Sequence, residues 1–379
     1  MIPIAQPALD EGDAEAARRT VLSGWVTQGP EVAGFEREFA RYVGAAYACA
    51  VSSCTAALHL ALVGLGLGEG DEVITASHSF IATANSIRYC GATPVFVDID
   101  PDTYNIDPNR VEEAVTARTR AVLAVHQIGM PCDLTGLLAV CDRHSLPLVE
   151  DAAPAVGSEI RIGGQWEPIG RPRGVVACFS FHPRKVITTG DGGMLTTNDA
   201  TLDRKFRLLR QHGMSVPDTV RHSSPQVIFE DYPILGYNYR MTDIQAAIGR
   251  QQLARLSDLV VRRRAIADRY VALLGNIEGL SLPFEPEWAR SNWQSYCVRL
   301  PDRVDQKGVM QALLDQGIST RRGVMCSHRE PAYANHEQTH DLTQSEAAQD
   351  HCILLPIYTQ MTEADQIQVA DALRRELRQ

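Results

Sequence analysis

The segment Cys178-Phe-Ser-Phe-His-Pro-Arg-Lys185-Val-Ile-Thr-Thr-Gly-Asp-Gly-Gly193 places a lysine just after an apolar, strand-like run. The chain has 36 basic side chains, and only three of them are lysines. Unlike arginine, lysine can lose its proton when it is desolvated and then attack a carbonyl carbon. Lys185 is therefore the first candidate functional residue. The alternative is a solvated lysine at a strand end, which is the commoner place for this residue type.

The other two lysines fit a structural role. Lys205 lies in a charged helical segment that begins near Asp199, and Lys307 lies at the start of a predicted helix after Asp305. Both settings are typical of solvated lysines on helix surfaces. Neither competes with Lys185 as a nucleophile.

Two further features lie upstream of Lys185. The run Leu146-Pro-Leu-Val-Glu-Asp151 is typical of a short buried strand that ends in a carboxylate. Ligands of α/β proteins bind at the carboxyl ends of strands. A second strand-like run ends at Val51 and is followed by Ser52-Ser53-Cys54-Thr55 at the start of a predicted helix. Hydroxyl groups and free amides at a helix N-terminus form an anion site.

These three features together match the needs of pyridoxal phosphate. The anion site can hold the phosphate, and the carboxylate can keep the ring nitrogen protonated. The lysine can form a Schiff base with the aldehyde. We therefore expect a cofactor site built from the ends of several strands.

The order and spacing of further motifs resemble those of the DegT/DnrJ/EryC1/StrS family of sugar aminotransferases, which are fold type I pyridoxal phosphate enzymes. The segments that carry the resemblance are residues 23–30, 52–62, 70–74, 80–85, 91–98, 150–153, 180–185 and 236–249. Each motif alone is modest, whereas their order along nearly the whole chain is specific.

The predicted fold class is α/β, a three-layer sandwich with a mostly parallel central sheet and a smaller α/β C-terminal domain. Between residues 46 and 197, apolar strands alternate with helical stretches, which indicates a parallel sheet covered on both faces. We expect the large cofactor-binding domain at 1–254 and the small domain at 255–379. A long helix from about 255 to 274 should join them, with Arg262–Arg264 on its solvated face.

The resemblance implies roles for the cofactor-binding residues. Lys185 would form the Schiff base and move the substrate proton, and Asp151 would pair with the ring nitrogen; the alternative for Asp151 is a helix cap. Phe80 would stack on the ring, unless it is an ordinary core residue. The phosphate would be held by Ser53, Cys54, Thr55, Ser180 and, from the other subunit, Asn238.

Two positions depart from the family pattern. Pro154 stands where the family usually has a glutamine or histidine that contacts the ring hydroxyl, and proline has no side-chain donor. Cys54 stands where glycine is common, which suggests a tighter phosphate turn.

For the substrate, the resemblance implies a cleft at the interface of a homodimer. The residues at matching positions are Trp25, Thr27, Gln28, Arg240, His328 and Tyr333. Arg321 and Arg322 could hold a diphosphate or a carboxylate of the amino donor, or they could be a solvated pair.

Charge, targeting and cysteine patterns narrow the remaining classes of function. A net charge of -10 argues against general nucleic-acid binding. The first residues have neither a basic region nor a sustained apolar stretch, so we expect neither secretion nor a membrane anchor. The nine cysteines are scattered and indicate a reducing, cytoplasmic environment.

Two motifs suggest other cofactors but are better explained structurally. His336-Glu-Gln-Thr-His340 matches a zinc pattern, yet polar residues and Pro331 surround it instead of an apolar helix. The glycines between Gly64 and Gly70 follow a helix, so helix termination explains them better than a nucleotide loop.

The expected activity is transfer of an amino group, with L-glutamate as the usual donor, to a keto-sugar. The most specific form of this hypothesis names a nucleotide-linked 4-keto-6-deoxyhexose as acceptor. A cyclitol aminotransferase acting on keto-inositol is the neighbouring alternative, and a non-catalytic pyridoxal phosphate sensor is a further one. A sugar 3-dehydrase is disfavoured, because those enzymes carry histidine in place of the lysine.

Overall fold

The computed structural model describes residues 1–377, and this part of the chain folds into helices packed around three β-sheets. The strands are β1 Tyr47–Val51, β2 Glu72–Ala76, β3 Thr93–Val97, β4 Thr119–Val125, β5 Leu148–Asp151, β6 Glu159–Ile162, β7 Gln165–Pro168, β8 Val176–Ser180, β9 Gly193–Thr197, β10 Ala289–Arg290, β11 Tyr296–Arg299, β12 Arg321–Arg322 and β13 Cys352–Leu355.

The helices begin near the N-terminus and continue to the end of the described chain. They are α1 Glu11–Ser23, α2 Pro30–Val43, α3 Cys54–Leu65, α4 Ala82–Tyr89, α5 Pro108–Glu113, α6 Leu134–His144, α7 Ala200–Leu209, α8 Asp218–Ser223, α9 Asp243–Ala254, α10 Leu256–Leu274, α11 Gln306–Asp315, α12 Thr343–His351 and α13 Glu363–Leu377.

The central sheet has seven strands in the order β1-β9-β8-β5-β4-β2-β3. The neighbours from β8 to β3 are parallel, and β9 runs antiparallel to both β1 and β8. Most of these strands are buried along their whole length, as expected for a sheet with helices on both faces. The mostly parallel α/β sheet predicted from the sequence is confirmed.

Hydrophobic residues form a large core around the central sheet and a second core toward the C-terminus. In the first, Phe39 contacts Phe179 with ring centroids 5.0 Å apart, which fixes α2 against β8. The second is built largely from α10, α11, α13 and the sheet of β11, β13 and β12. Ile2 also packs in this second core and pairs with Ile318, so the start of the chain contributes to it. The predicted division at 254/255 stays a prediction.

Asp98, just after the edge strand β3, ties the C-terminal part of the chain to the central sheet. Its carboxylate accepts hydrogen bonds from the backbone amides of Gln344 and Ser345, at 2.8 and 2.7 Å. These amides belong to the first turn of α12, where the helix itself offers no acceptor. The bond therefore satisfies a helix end and joins two parts of the fold at once.

The small β6–β7 hairpin was not predicted from the sequence. Its strands are joined by Gly163 and Gly164, which both have positive φ, at 59° and 82°. Two successive residues with positive φ form the tight turns that match the twist of a hairpin, and glycine adopts them without strain.

The prediction that Arg262–Arg264 form a solvated face of α10 is wrong for Arg263. Its side chain is only 3% exposed and donates to the carbonyl of Trp293 at 3.0 Å. Burial lowers its pKa to about 10. Arg264 is half-buried and donates to the carbonyl of Ser291 at 3.0 Å. The helical period turns one arginine of the three toward the C-terminal core, where its guanidinium also lies within 3.4 Å of the carbonyls of Gln294 and Ile357.

The cysteines and the helices bear on two further expectations. All nine cysteines lie within the described residues and are free thiols, eight of them buried. Among residues 1–377, none of the helices combines the length and the apolar character that crossing a bilayer requires. The predicted cytoplasmic location stays a prediction.

Replacing Arg263 should destabilise the protein, since Arg263→Met leaves buried carbonyls without a donor. We expect a loss of about 2–3 kcal/mol in the free energy of unfolding, measured by urea denaturation. The exposed neighbour gives a matched control: Arg262→Met should change stability by less than about 0.5 kcal/mol. Equal effects of the two substitutions would contradict the structural role of Arg263.

Candidate active site

Lys185 lies in the turn that follows β8, at the carboxyl end of the central sheet. The backbone amide of Lys185 donates to the carbonyl of His182 at 2.8 Å, and the Gln294 side chain donates to the carbonyl of Arg184 at 2.9 Å. Burial lowers the pKa of the Lys185 ammonium group, an effect that Cys54 and Asp151 oppose. A lowered pKa increases the fraction of neutral amine, which is the form that attacks a carbonyl.

Asp151 is the last residue of β5 and is 4% exposed. One carboxylate oxygen accepts from the backbone amide of Ala153 at 3.1 Å, and the other accepts from the hydroxyl of Thr83 at 2.9 Å. Burial raises the pKa of Asp151, while these two hydrogen bonds and the charge of Lys185 lower it. No helix begins between Asp151 and β6, so the alternative of a helix cap is wrong.

The start of α3 offers donors for an anion. The Ser53 hydroxyl caps the helix by accepting from the amide of Ala56 at 3.1 Å. Within residues 1–377, the amides of Cys54 and Thr55 have no hydrogen-bond acceptor, because they precede the first intrahelical bond. Two free amides and the helix dipole form a site for a phosphate group.

Gly193, the first residue of β9, allows this site to form. A Cβ atom at this position would lie 2.4 Å from the carbonyl oxygen of Ser53. Any other residue would push β9 away from the start of α3. The thiol of Cys54 is buried beside it, and burial together with the charge of Asp151 raises its pKa well above the usual range. Cys54 therefore lines the site as a neutral group.

Ser180 and Phe80 lie near the carboxyl ends of two strands of the central sheet, β8 and β2, which are separated by β5 and β4. Ser180 ends β8 and is 7% exposed, and its hydroxyl oxygen accepts from the amide of His182 at 3.4 Å. Phe80 follows β2 with 61% of its surface exposed. The alternative that Phe80 is a core residue is therefore wrong, and its ring is free to stack on a flat ligand.

Pyridoxal phosphate fits these residues. The structure brings a desolvated amine, a buried carboxylate and unsatisfied amides at a helix start to one edge of the sheet. Lys185 would bind the aldehyde, Asp151 the ring nitrogen, and α3 the phosphate. Position 154 contributes no side-chain donor, since Pro154 only accepts, through its carbonyl, from the Asn292 amide group at 2.8 Å.

Thr83 is a site residue that sequence reasoning missed. The segment 80–85 was recognised as a motif, but Thr83 itself received no role. A threonine in the first turn of a helix is usually interpreted as a local backbone partner. No local signal marked it, because its partner Asp151 lies 68 residues along the chain and only the fold brings that carboxylate to the start of α4.

Asn238 lies between two tyrosines that pack on a hydrophobic cluster built around α3. The rings of Tyr237 and Tyr239 stack 5.2 Å apart, and both contact His59 at the edge of α3. The Asn238 side chain between them is exposed. The backbone of this segment lies beside the phosphate site, since the amide of Ser52 donates to the carbonyl of Tyr239 at 2.8 Å, and Val51 pairs with Arg240.

The predicted substrate segment at Trp25, Thr27 and Gln28 is held by Asp243. The carboxylate of Asp243 accepts from the amides of Gly29 and Val32, at 2.7 and 2.9 Å, at the start of α2. Its own backbone amide donates to the carbonyl of Thr27 at 3.2 Å. The Thr27 side chain stays exposed, while Trp25 and Gln28 are half-buried.

Two further predicted substrate residues, His328 and Arg322, contact other side chains of the protein. The ring nitrogens of His328 contact the Ser77 hydroxyl at 2.7 Å and the Glu346 carboxylate at 3.0 Å. Arg322 lies 3.4 Å from Glu330. Their assignment to substrate stays a prediction.

Tyr333 lies in a different place from the other candidates. It is 6% exposed, and its hydroxyl donates to the Asn85 side chain at 2.9 Å. With Arg88 and Arg118 it lines a cavity of about 540 Å³. This cavity opens near Glu72 and Thr93, at the amino ends of β2 and β3, and not at the carboxyl ends where Asp151 lies.

The segment His336–His340 is not helical. Its two histidines therefore lack the spacing on one helix face that the zinc pattern needs. The glycines after α3 end the helix as expected, with Gly66 in the left-handed conformation at φ 85°.

Comparison with known proteins places the chain in one family. The model of the DegT/DnrJ/EryC1/StrS aminotransferase family matches residues 7–374. The chain is 40% identical to the spore coat polysaccharide biosynthesis protein SpsC of Bacillus subtilis (strain 168), over 98% of this chain and 96% of that protein.

Solved structures of aminotransferases support the same family assignment. The aminotransferase TlmJ of Streptoalloteichus hindustanus has a TM-score of 0.91 and 35% identity, covering 100% of this chain and 99% of that one. The PLP form of Spr1654 of Streptococcus pneumoniae has a TM-score of 0.91 and 27% identity, covering 100% and 98%. The chain belongs to the DegT/DnrJ/EryC1/StrS aminotransferase family and is a sugar aminotransferase that depends on pyridoxal phosphate.

Proposed function

We propose that this enzyme transfers the amino group of L-glutamate to a nucleotide-linked 4-keto-6-deoxyhexose and that Lys185 binds the cofactor covalently. The observation that carries the proposal is the meeting of a desolvated Lys185, a buried Asp151 and the free amides of α3 at one edge of the sheet. When bound, pyridoxal phosphate withdraws electrons from the carbon that carries the amino group.

The protein's own groups then have distinct tasks. Asp151 stabilises the positive charge on the ring nitrogen, because an ionised carboxylate raises the pKa of a neighbouring base. Lys185 would hold the cofactor through its side-chain amine. The same amine would accept a proton from one carbon and return it to another, as a general base and then a general acid.

Two arginines support an acidic amino donor. Arg184 and Arg321 both have exposed side chains, and within the described residues neither guanidinium forms an ion pair. Although the Arg184 side chain is exposed overall, its partial removal from water lowers its pKa, and the positive charge of Arg321 lowers that pKa further. Cations that repel each other beside Lys185 favour a ligand with carboxylates, or a diphosphate, between them.

Exposed apolar residues support a dimer in which the sites lie at the interface. Val227, Phe229 and Leu235 are 85%, 89% and 86% exposed, and they precede Asn238 in the same irregular segment. Large apolar side chains in one exposed segment are typical of a surface that another protein covers. In the proposed homodimer, Asn238 reaches the phosphate of the partner subunit.

Reduction with borohydride should trap the cofactor on Lys185. We expect peptide mapping to find the label on the segment around Lys185 and nowhere else, since Lys205 already donates to the carbonyl of Gly64 at 2.8 Å. Lys185→Ala should lose the label, whereas Lys205→Arg should keep it. A label on Lys205 or Lys307 would refute the assignment.

Mixing two inactive variants should test the interface. A mixture of Lys185→Ala and Asn238→Ala subunits should recover about a quarter of the wild-type specific activity. Random exchange makes about half of the dimers hybrid, and each hybrid has one intact site. Hybrids of Lys185→Ala and Asp151→Asn are the control and should stay inactive, because both residues serve the same subunit's site. Verified Lys185/Asn238 hybrids without recovery would place Asn238 outside the partner's site.

The second half of the reaction, in which the aminated enzyme passes its amino group to the acceptor, tests which acceptor the enzyme uses. Enzyme that has been aminated with glutamate should return to the aldehyde form when a nucleotide-linked 4-keto sugar is added. Its absorption spectrum should recover at least about tenfold faster than with free keto-inositol. Faster recovery with keto-inositol would favour the cyclitol alternative. Recovery with small 2-oxo acids alone would remove the sugar assignment for the acceptor.

A further inference from the structure

Behind Asp151 lies a short chain of buried hydroxyl groups. The Thr83 hydroxyl is 2.9 Å from the carboxylate of Asp151, and the Ser79 hydroxyl is 2.8 Å from that of Thr83. Both side chains are nearly inaccessible, at 2% and 1%. An ionised carboxylate only accepts, so the single proton of Thr83 points to Asp151. The Ser79 hydroxyl then donates to Thr83 at 2.8 Å, in preference to the carbonyl of Phe80 at 3.5 Å.

We propose that Ser79 and Thr83 are positioning residues, which keep the Asp151 carboxylate ionised and aimed at the nitrogen of the cofactor ring. The inference rests on the role of Asp151 in the proposed function. It adds two residues that do not touch the cofactor and act only through Asp151.

The physical reason is the cost of burying a carboxylate. Moving a charged carboxylate out of water favours its neutral form, and the hydrogen bonds that it accepts oppose this effect. Within residues 1–377, Asp151 accepts two such bonds, from Thr83 and from the amide of Ala153. Each oxygen accepts one, so lone pairs remain for the ring nitrogen. The turn after β5 fixes the hydrogen bond from the backbone amide of Ala153. The hydrogen bond from Thr83 is the one that depends on a side chain.

The Ser79 end of this row of hydroxyl groups is held by backbone hydrogen bonds outside the cofactor site. The amide of Ser79 donates to the carbonyl of Met325 at 3.1 Å, and His78 pairs with Cys326. Next to them, the amide of Ser327 donates to the carbonyl of Ser77 at 2.9 Å. The segment 325–327 therefore fixes Ser79, Ser79 orients Thr83, and Thr83 orients Asp151.

A purely structural role for Thr83 predicts something different. Thr83 lies in the first turn of α4, so its loss could simply weaken that helix. In that case stability would fall, while the electronic state of the bound cofactor would not change. The two roles separate when the ring nitrogen is observed directly.

The experiment uses the full-length holoenzyme loaded with pyridoxal phosphate that carries ¹⁵N in the ring. The ¹⁵N chemical shift reports the protonation of that nitrogen, and cofactor affinity and urea denaturation are measured alongside. The variants are Thr83→Val, Thr83→Ser and Ser79→Ala, with Asp151→Asn as the reference for a lost carboxylate. Thr75→Val is the matched control, because Thr75 is equally buried and donates to the carbonyl of Leu123 at 2.7 Å, away from Asp151.

We expect Thr83→Val to move the ¹⁵N signal toward that of Asp151→Asn and to weaken cofactor binding by about tenfold. Thr83→Ser should restore both, and Ser79→Ala should give a smaller shift in the same direction. Thr75→Val should affect stability alone.

A wild-type ¹⁵N signal in folded Thr83→Val would overturn the inference. If Thr83→Val does not fold, Ser79→Ala decides: its wild-type signal would overturn the inference, and a shift would support it. An unchanged signal in Asp151→Asn would instead overturn the role of Asp151 in the proposed function, so the two failures are distinguishable.

Discussion

The site is arranged around one constraint, which is that the Asp151 carboxylate is buried away from water. A buried carboxylate without partners takes up a proton, and a neutral acid could not stabilise charge on a ring nitrogen. The fold therefore supplies partners from separate parts of the chain: the turn after β5, the first turn of α4, and the lysine after β8. These parts meet because the carboxyl ends of neighbouring parallel strands share one edge of the sheet.

The same chemistry recurs where the outer segments join the sheet. The carboxylate of Asp98 accepts hydrogen bonds from backbone amides at the start of α12, and the carboxylate of Asp243 accepts them from backbone amides at the start of α2. In each case a helix end that lacks its own acceptors is satisfied by a carboxylate distant in sequence. The segment with Thr27 and Gln28 and the C-terminal sheet are thereby fixed relative to the cofactor site. Surface ion pairs would hold them less well, because water competes for the charges.

The fold and the centre of the site could be predicted from the sequence, whereas the connections between elements could not. Strands β4 and β8 contain the apolar runs Ala121–Val125 and Val176–Phe179, and Lys185 stands out because lysine is rare in this chain. Arg263 was misplaced since three consecutive arginines suggest a solvated face, and only the packed helix shows which one points inward. Thr83 was missed for a related reason. Its partner Asp151 lies 68 residues away, and no local pattern encodes that distance.

In the proposed dimer, the exposed apolar segment that ends near Asn238 would link cofactor binding to assembly by mass action. If a partner subunit completes the phosphate site, each dimer binds the cofactor more tightly than two separate chains do. Thermodynamic reciprocity then requires the cofactor to strengthen the dimer by the same factor. Loss of cofactor would loosen the dimer and return residues such as Phe229 to water. For this chain, the supply of cofactor would therefore also govern protection against aggregation.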